Sequence, residues 1–239
     1  MLPPSLLPDA LGSSGLDGYC VGEPWNSIGV ATKGAHMVTT KAAIWQSSPD
    51  KVIGMRADWA QAQPERVAAI IRAIYRAGEF CADPANHAEI AQIMAKPAYL
   101  NAAPDIVGRA LSGRFEIGAG AVAQVPDHFI PNASAANFPW KSHALWYYSQ
   151  MVRWGEVTSS PTNAAIAAAC FRPDLYRAAL APLEINVPAL DDKTDGTHDR
   201  PYQIAGTRGS LTMGPDQFFD GQVFDPSALD RYIAEQARS

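Results

Sequence analysis

Few residues in this chain have the types and spacing that catalysis needs. Nucleophilic catalysis requires a nucleophile beside a base, and Cys20 with His143 is a cysteine–histidine pair that could be drawn. Neither a nucleophile elbow nor a glycine-rich phosphate loop surrounds either residue. The five histidines show no H-x-E or HExxH spacing, so no zinc site is predicted. We therefore expect a protein that is not an enzyme and has no metal and no cofactor.

The segment GYCVGEPWN, residues 18–26, concentrates glycine, proline, tryptophan and a carboxylate in nine residues. Gly22 permits a close approach of the backbone to a ligand or to another strand. Glu23 and Pro24 take the chain out of regular structure. Two interpretations stay open: a strand end that turns into a ligand-binding cleft, or an ordinary tight turn with Trp25 packed beneath it.

Lys51 follows the turn-forming residues SSPD. A single lysine in such a context is ordinarily solvated. If it faces a cleft instead, an ammonium about 4 Å from a monovalent anion contributes roughly 4 kcal/mol at an effective dielectric constant near 20. A contribution of that size would define an anion site.

Composition narrows the class of protein. The chain of 239 residues is 47% hydrophobic and 18% charged, which predicts a globular protein. A net charge of -5 and the absence of a lysine- and arginine-rich run exclude direct nucleic-acid binding. The odd number of widely spaced cysteines (Cys20, Cys81 and Cys170) predicts free thiols and favours a reducing compartment.

The N-terminal residues MLPPSLLPDALGSSG lack a basic region, a long apolar region and a cleavage site. As written, the chain is therefore predicted to be cytoplasmic, and it is periplasmic if the true start lies upstream. No stretch approaches the roughly 18 apolar residues of a membrane helix, so no transmembrane segment is predicted.

In the first half, short apolar pieces alternate with helical periodicity, an order typical of an α/β fold. Strands are predicted at Ala35–Thr40 and Val52–Met55, on either side of a helical turn at Ala42–Trp45. Apolar residues at helical spacing predict a helix from Pro64 to Cys81, and shorter helices follow around Ile90 and from Pro104 to a stop at Gly113.

The second half is predicted to be rich in helices. Residues 114–141 hold no period and are predicted to cross the surface as a long irregular segment. Ser142 is predicted to cap a helix that ends at Gly155. Further helices are predicted at Pro161–Phe171, at Pro173–Leu183 and from Pro226 onward, with a loop at Asp191–Ser210.

Three motifs together resemble a known family. GYCVGEPWN is followed by a segment ending in VTT, then IW, PDKVIG and a D-W before a P-E-R helix. FPWKSHALWYYSQMVRWG spans Phe138–Gly155, and PDQFFDGQVFDP spans Pro215–Pro226. These motifs resemble the nitrate- and bicarbonate-binding solute receptors of ABC importers and their cytosolic nitrate-sensor relatives. The resemblance covers nearly the whole chain.

The resemblance implies an α/β, type II periplasmic-binding-protein-like fold that closes on its anion. It implies that the Gly22 backbone contacts the ligand, with Glu23, Pro24 and Trp25 in the same segment, and that Lys51 supplies the positive charge. Bicarbonate-binding relatives carry an acidic residue at the position of Lys51, so this lysine favours nitrate or nitrite. A ligand that carries no proton needs only hydrogen-bond donors from the protein, and a lysine ammonium is such a donor.

The chain departs from the family at its start, because members have most of one lobe before the GYC segment. We therefore expect an incomplete fold, with a partial lobe carrying the hinge and anion-site segment at residues 1–113 and a helical C-terminal region at 114–239. The family's other nitrate contacts are assigned to no residue here. Trp140 and His143 are interpreted as packing or capping residues.

Four functional hypotheses follow. The chain is a receptor that delivers nitrate or nitrite to an ABC permease, or a cytosolic sensor that releases an antiterminator regulatory protein. The segment 138–155 and the missing export signal favour the sensor. A third hypothesis, an enzyme like the pyrimidine-precursor synthases, would need a cysteine-rich iron-binding run, which is absent from the sequence. The fourth is a truncated fragment without activity.

Overall fold

The computed structural model describes residues 2–13, 16–125 and 127–236. Within these residues the helices are α1 Leu7–Ala10, α2 Trp25–Lys33, α3 Lys41–Ile44, α4 Ala57–Ala62, α5 Pro64–Ala82, α6 His87–Met94, α7 Pro104–Ser112, α8 Lys141–Arg153, α9 Pro161–Cys170, α10 Pro173–Leu180 and α11 Leu229–Gln236. The strands are β1 Arg114–Gly118, β2 Ala121–Gln124, β3 Tyr202–Gly206 and β4 Gly209–Met213. They form two separate antiparallel hairpins, β1–β2 and β3–β4.

The chain divides into two compact units, and each is discontinuous in sequence. Unit 1 comprises Met1–Ile44 and Phe80–Ile130, and unit 2 comprises Trp45–Glu79 and Pro131–Ser239. These bounds differ from the division into residues 1–113 and 114–239 that the sequence predicted. That division concerns domains, and it stays a prediction.

In unit 1, helices α2 and α7 pack against β1, and α6 packs against α7. Phe115 of β1 is fully buried, and Val107 of α7 is nearly so. Gly118 ends β1 with a φ of +116°, and a side chain there would collide with the His36 ring. The glycine therefore lets the hairpin approach the segment that follows α2.

In unit 2, an apolar cluster joins the segment before α8 to α10 and the β3–β4 hairpin. Phe138 contacts Trp140 and Tyr176 edge-on, at ring-centroid distances of 4.7 and 5.5 Å. Leu180 is fully buried in the same cluster. Aromatic pairs of this kind stabilise a core beyond the area that they bury.

The predicted helices are largely confirmed. Pro64 begins α5, whose buried Val67 belongs to the apolar stripe that predicted it. Gly113, with a φ of +66°, ends α7 where the sequence predicted a stop, and a side chain at Gly113 would collide with the Val125 carbonyl. The helical turn predicted at Ala42–Trp45 is α3, shifted by one residue.

The two predicted strands are wrong. In the described residues, neither 35–40 nor 52–55 forms a strand. A strand needs a paired neighbour for its backbone groups, and only Met37 is bonded to a strand residue, donating its N–H to the Ile117 carbonyl at 3.0 Å. Val38, Val52 and Ile53 are exposed instead of packed, with Val38 94% accessible.

Two hairpins lie where irregular chain was predicted. β1 and β2 fall inside 114–141, and β3 with the first residues of β4 falls inside Asp191–Ser210. The β1–β2 register shifts between Glu116 and Gly118, which breaks the alternation that identifies a strand from sequence.

The predicted cap of α8 is also wrong. The N-cap is Trp140, and Ser142 is the second residue of the helix, with its Oγ accepting a hydrogen bond from the Lys193 backbone N–H at 3.2 Å. Ser142 is fully buried. A loop packs on the first turn of this helix and supplies the polar partners that a capping side chain would have supplied.

Candidate functional site

The segment 18–26 is an ordered turn that leads into α2. Tyr19 donates its hydroxyl to the Trp25 carbonyl at 2.9 Å, and Asn26 donates its amide to the Val21 carbonyl at 2.6 Å. Pro24 is buried, follows a cis peptide bond and is the N-cap of α2. Gly22 is exposed. The turn therefore presents the Gly22 backbone on the surface of unit 1.

Glu23 stabilises the start of α2. Its Oε2 accepts a hydrogen bond from the Ser27 backbone N–H at 3.2 Å, and a carboxylate at a helix N-terminus interacts favourably with the helix dipole. Burial and the neighbouring Glu23 charge raise the pKa of the Tyr19 hydroxyl, which keeps this donor protonated. The segment is therefore a tight turn, no strand ends in its described residues, and its place in a ligand-binding cleft stays a prediction.

Lys51 lies in unit 2, whereas Gly22, Glu23, Pro24 and Trp25 lie in unit 1. Neither unit therefore contains all the predicted site residues. Its side chain is 78% exposed, and its Nζ lies 3.1 Å from both carboxylate oxygens of Asp50. In bulk water a charge pair at 4 Å contributes only about 1 kcal/mol, against roughly 4 kcal/mol at a dielectric constant near 20. Lys51 as it lies here is solvated, and a strong anion contact would require that solvent be excluded from it.

Trp45 anchors the segment that ends in Lys51. Its ring lies 4.7 Å from both Trp146 and Phe218, measured between centroids, and His143 meets it edge-on at 5.8 Å. Gln46 donates its backbone N–H to the Gln217 carbonyl at 3.0 Å. The Tyr147 hydroxyl donates to the Pro49 carbonyl at 3.4 Å. The chain is thus held against α8 and residues 217–218 up to two residues before Lys51.

A second group of charged residues in unit 2 is buried. Lys193 forms an ion pair with Asp195, which is 1% exposed, and His143 Nε2 lies 3.6 Å from Asp195 Oδ2. Burial lowers the pKa of His143 despite the raising effect of Asp195. Burial alone would raise the pKa of Asp195, but His143 and Lys193 hold it below its usual value.

The same loop makes further polar contacts. Asp191 accepts from Lys141 Nζ and Arg177 Nη1, each at 2.7 Å. Asp216 accepts four hydrogen bonds, from the backbone of Gly196 and His198, from the His198 ring and from the Tyr202 hydroxyl. These groups fix the loop on α8 and the β3–β4 hairpin. Sequence reasoning missed them, since Asp195 lies 52 residues from His143 and no local pattern joins the two.

The catalytic alternative finds no constellation in the described residues. Cys20 belongs to unit 1 and His143 to unit 2, where His143 faces Trp45 and Asp195. Trp140 and His143 are both buried packing residues. No described group of three histidine, cysteine or acidic side chains is arranged to hold a metal ion. No helix in the described ranges is long and apolar enough to cross a membrane.

Comparison with known proteins identifies relatives of this chain. The chain is 30% identical to the nitrate/nitrite binding protein NrtA of Synechococcus elongatus over 98% of its own length and 49% of that protein. The resemblance to nitrate/nitrite-binding proteins is confirmed. NrtA of a Nostoc species is also 30% identical, over 97% of this chain and 49% of the relative. Residues 1–95 match the model of the NMT1-like family.

The relatives extend to other importer components. The bicarbonate transport ATP-binding protein CmpC of Synechococcus elongatus is 31% identical over 65% of this chain and 22% of that protein. The crystal structure of the periplasmic nitrate-binding protein NrtA from Synechocystis PCC 6803 matches with a TM-score of 0.83 and 24% identity, over 98% of this chain and 57% of the other. The helix-rich fold of mixed helices and strands matches part of the fold of that protein, and the chain spans about half the length of the NrtA relatives.

Proposed function

We propose that this chain takes part in binding nitrate or nitrite and is not an enzyme. The observation that carries the proposal is its similarity, over 98% of its length, to a protein named as a nitrate/nitrite binding protein. The accessible Gly22 backbone of unit 1 and the Lys51 ammonium of unit 2 are two candidate donors of the kind that an anion without protons requires. Glu23, Pro24 and Trp25 form the turn that holds Gly22 in place.

The binding energy limits what Lys51 does alone. A micromolar complex needs about -8 kcal/mol, whereas a solvated lysine at 4 Å contributes about 1 kcal/mol. The proposed site therefore includes donors beyond Lys51 and excludes water from it.

In this proposal the fold is incomplete without a further lobe, residues 1–113 form the partial lobe with the anion segment, and 114–239 form the helical region.

Two roles in the cell fit such a site. As the substrate-binding component of an ABC importer, the protein would be periplasmic and would deliver its anion to a permease. As a cytosolic sensor, it would control nitrate assimilation through an antiterminator regulatory protein. The importer role is supported by relatives that are named as import ATP-binding proteins. The sensor role is supported by the resemblance of the segment 138–155 to the cytosolic nitrate-sensor relatives.

Calorimetric titration with nitrate, nitrite and bicarbonate tests the proposal. We expect nitrate or nitrite to bind and Lys51→Ala to weaken binding on the order of a hundredfold, about 2.7 kcal/mol, which lies between the solvated and enclosed limits for one charge. Lys33→Ala is the matched control, because Lys33 carries the same charge in an ion pair with Asp9 in unit 1.

The outcomes separate the alternatives. Binding of bicarbonate in place of nitrate would assign the chain to the bicarbonate class. No heat with any of the three anions, from a chain that circular dichroism shows to be folded, would contradict the proposal for this chain and favour the inactive fragment.

A further inference from the structure

The Lys51 ammonium already holds an anionic group. Asp50 Oδ1 and Oδ2 both lie 3.1 Å from Nζ, so the carboxylate presents its two oxygens symmetrically to the charge. A carboxylate is a planar O–C–O group with delocalised negative charge. Nitrate and nitrite present a planar O–N–O edge of the same kind. Asp50 therefore occupies Lys51 as an oxyanion would.

The chain immediately before Asp50 is anchored in unit 2. The preceding Pro49 has a fixed φ, and its carbonyl accepts the Tyr147 hydroxyl at 3.4 Å. Trp45 holds the start of the same segment in the aromatic cluster with Trp146 and Phe218. Burial, and then the Asp50 charge, raise the pKa of Tyr147, so the carboxylate lies close to a phenol that stays protonated.

We propose that Asp50 is a specificity-determining residue, an internal counter-ion that an oxyanion must displace from Lys51 and whose charge then discriminates against divalent oxyanions. The inference rests on the proposed function. After displacement, Asp50 stays next to Lys51 in the chain and repels the bound anion. The repulsion grows with the charge of the ligand, so the logarithm of the affinity penalty for sulfate is about twice that for nitrate.

The expected effects are modest, because Lys51 and Asp50 are largely exposed and such pairs are weak. Asp50→Asn removes the charge while keeping the size of the side chain. We expect nitrate affinity to rise about threefold at low ionic strength and sulfate affinity to rise by more, up to about tenfold, the square of that factor. The square is the upper limit because the displacement cost is common to both anions and only the repulsion grows with charge. Both gains should shrink when the ionic strength approaches about 1 M, where the screening length falls to roughly 3 Å.

The test is a calorimetric titration of the full chain and Asp50→Asn with sodium nitrate and sodium sulfate, at low and high ionic strength. Asp58→Asn is the matched control. It breaks an exposed pair of the same kind, with Arg56 at 2.7 Å, in the same segment of unit 2. In the Lys51→Ala background, Asp50→Asn should give a smaller gain for nitrate, because the counter-ion then has no lysine to release and only the repulsion is removed.

Each outcome is decisive. A larger gain for sulfate than for nitrate, absent in Asp58→Asn, supports the inference. Nitrate binding that Asp50→Asn leaves unchanged, or equal gains for both anions, overturns it while the proposed function stands. If neither the full chain nor Asp50→Asn binds nitrate, nitrite or sulfate, the proposed function fails and this inference fails with it.

Discussion

Two of the lysine–aspartate pairs in unit 2 have opposite surroundings. Lys51 and Asp50 are 78% and 61% exposed, whereas Lys193 and Asp195 are 10% and 1% exposed. The charges are the same, but water screens the first pair and is excluded from the second. A solvated pair separates at little cost and leaves its cation for a ligand. A buried pair does not, since either charge left alone would be desolvated without a partner.

The largest expected effect is the loss of the buried pair. Asp195→Asn leaves the Lys193 ammonium buried without its carboxylate and removes the negative charge beside His143. Breaking such a pair costs roughly 3–5 kcal/mol. We expect the free energy of unfolding in urea to fall by about that amount.

Asp50→Asn is the control for this comparison, because it breaks the exposed pair by the same chemical change. An equal loss of stability in both variants would contradict the contrast between the two pairs. If unit 2 of Asp195→Asn does not fold, Lys193→Met with Asp195→Leu removes both charges together and should be more stable than Asp195→Asn.

The aromatic anchor is expected to have the next largest effect. Trp45 is 5% exposed and packs against Trp146 and Phe218, so Trp45→Ala should cost about 3 kcal/mol and leave a cavity. Chemical denaturation measures the loss. Trp154→Ala is the matched control, because Trp154 is 67% exposed and its removal should change stability by less than about 0.5 kcal/mol.

The buried histidine predicts a dependence of stability on pH. Burial lowers the pKa of His143 in the folded state, so below the unfolded value of about 6.5 the unfolded chain binds a proton that the folded chain does not. Stability is therefore full above that pH and falls as the pH drops through about 6.5, by at most roughly 1.4 kcal/mol per pH unit. His143→Gln should flatten the dependence between pH 6.5 and 5. An unchanged slope would show that His143 is charged in the folded state.

Helices could be predicted from the sequence because their signals are local. The apolar stripe of α5 lies within that helix. The proline that begins α7 and Gly113 at its end mark the two ends of a single helix. The hairpins carry weaker local signals, since β1 contains a register shift. The Gly206–Gly209 turn between Ile204 and Leu211 could have indicated β3 and β4.

The candidate site was predicted only in part. The sequence context singled out Gly22 and Lys51, and the resemblance gave them their roles. Both residues are exposed, and their part in binding stays a prediction. Asp50 stands next to Lys51 in the sequence, but only the structure shows both its oxygens turned to the ammonium. The buried network could not be predicted, because long-range packing joins Asp195 to His143 and sequence spacing carries no trace of it.

The smallest expected effect on stability concerns the exposed pair of Lys51 and Asp50. Lys51→Ala removes a solvated charge whose partner, Asp50, is rehydrated at once, so the free energy of unfolding should change by less than about 0.5 kcal/mol. Urea denaturation measures it, with Lys193→Ala as the buried counterpart. A loss above 1 kcal/mol for Lys51→Ala would mean that the lysine stabilises the fold, and any effect of that variant on nitrate affinity would then have to be separated from an effect on folding. With stability unchanged, weakened anion binding in Lys51→Ala reports on the ligand contact itself.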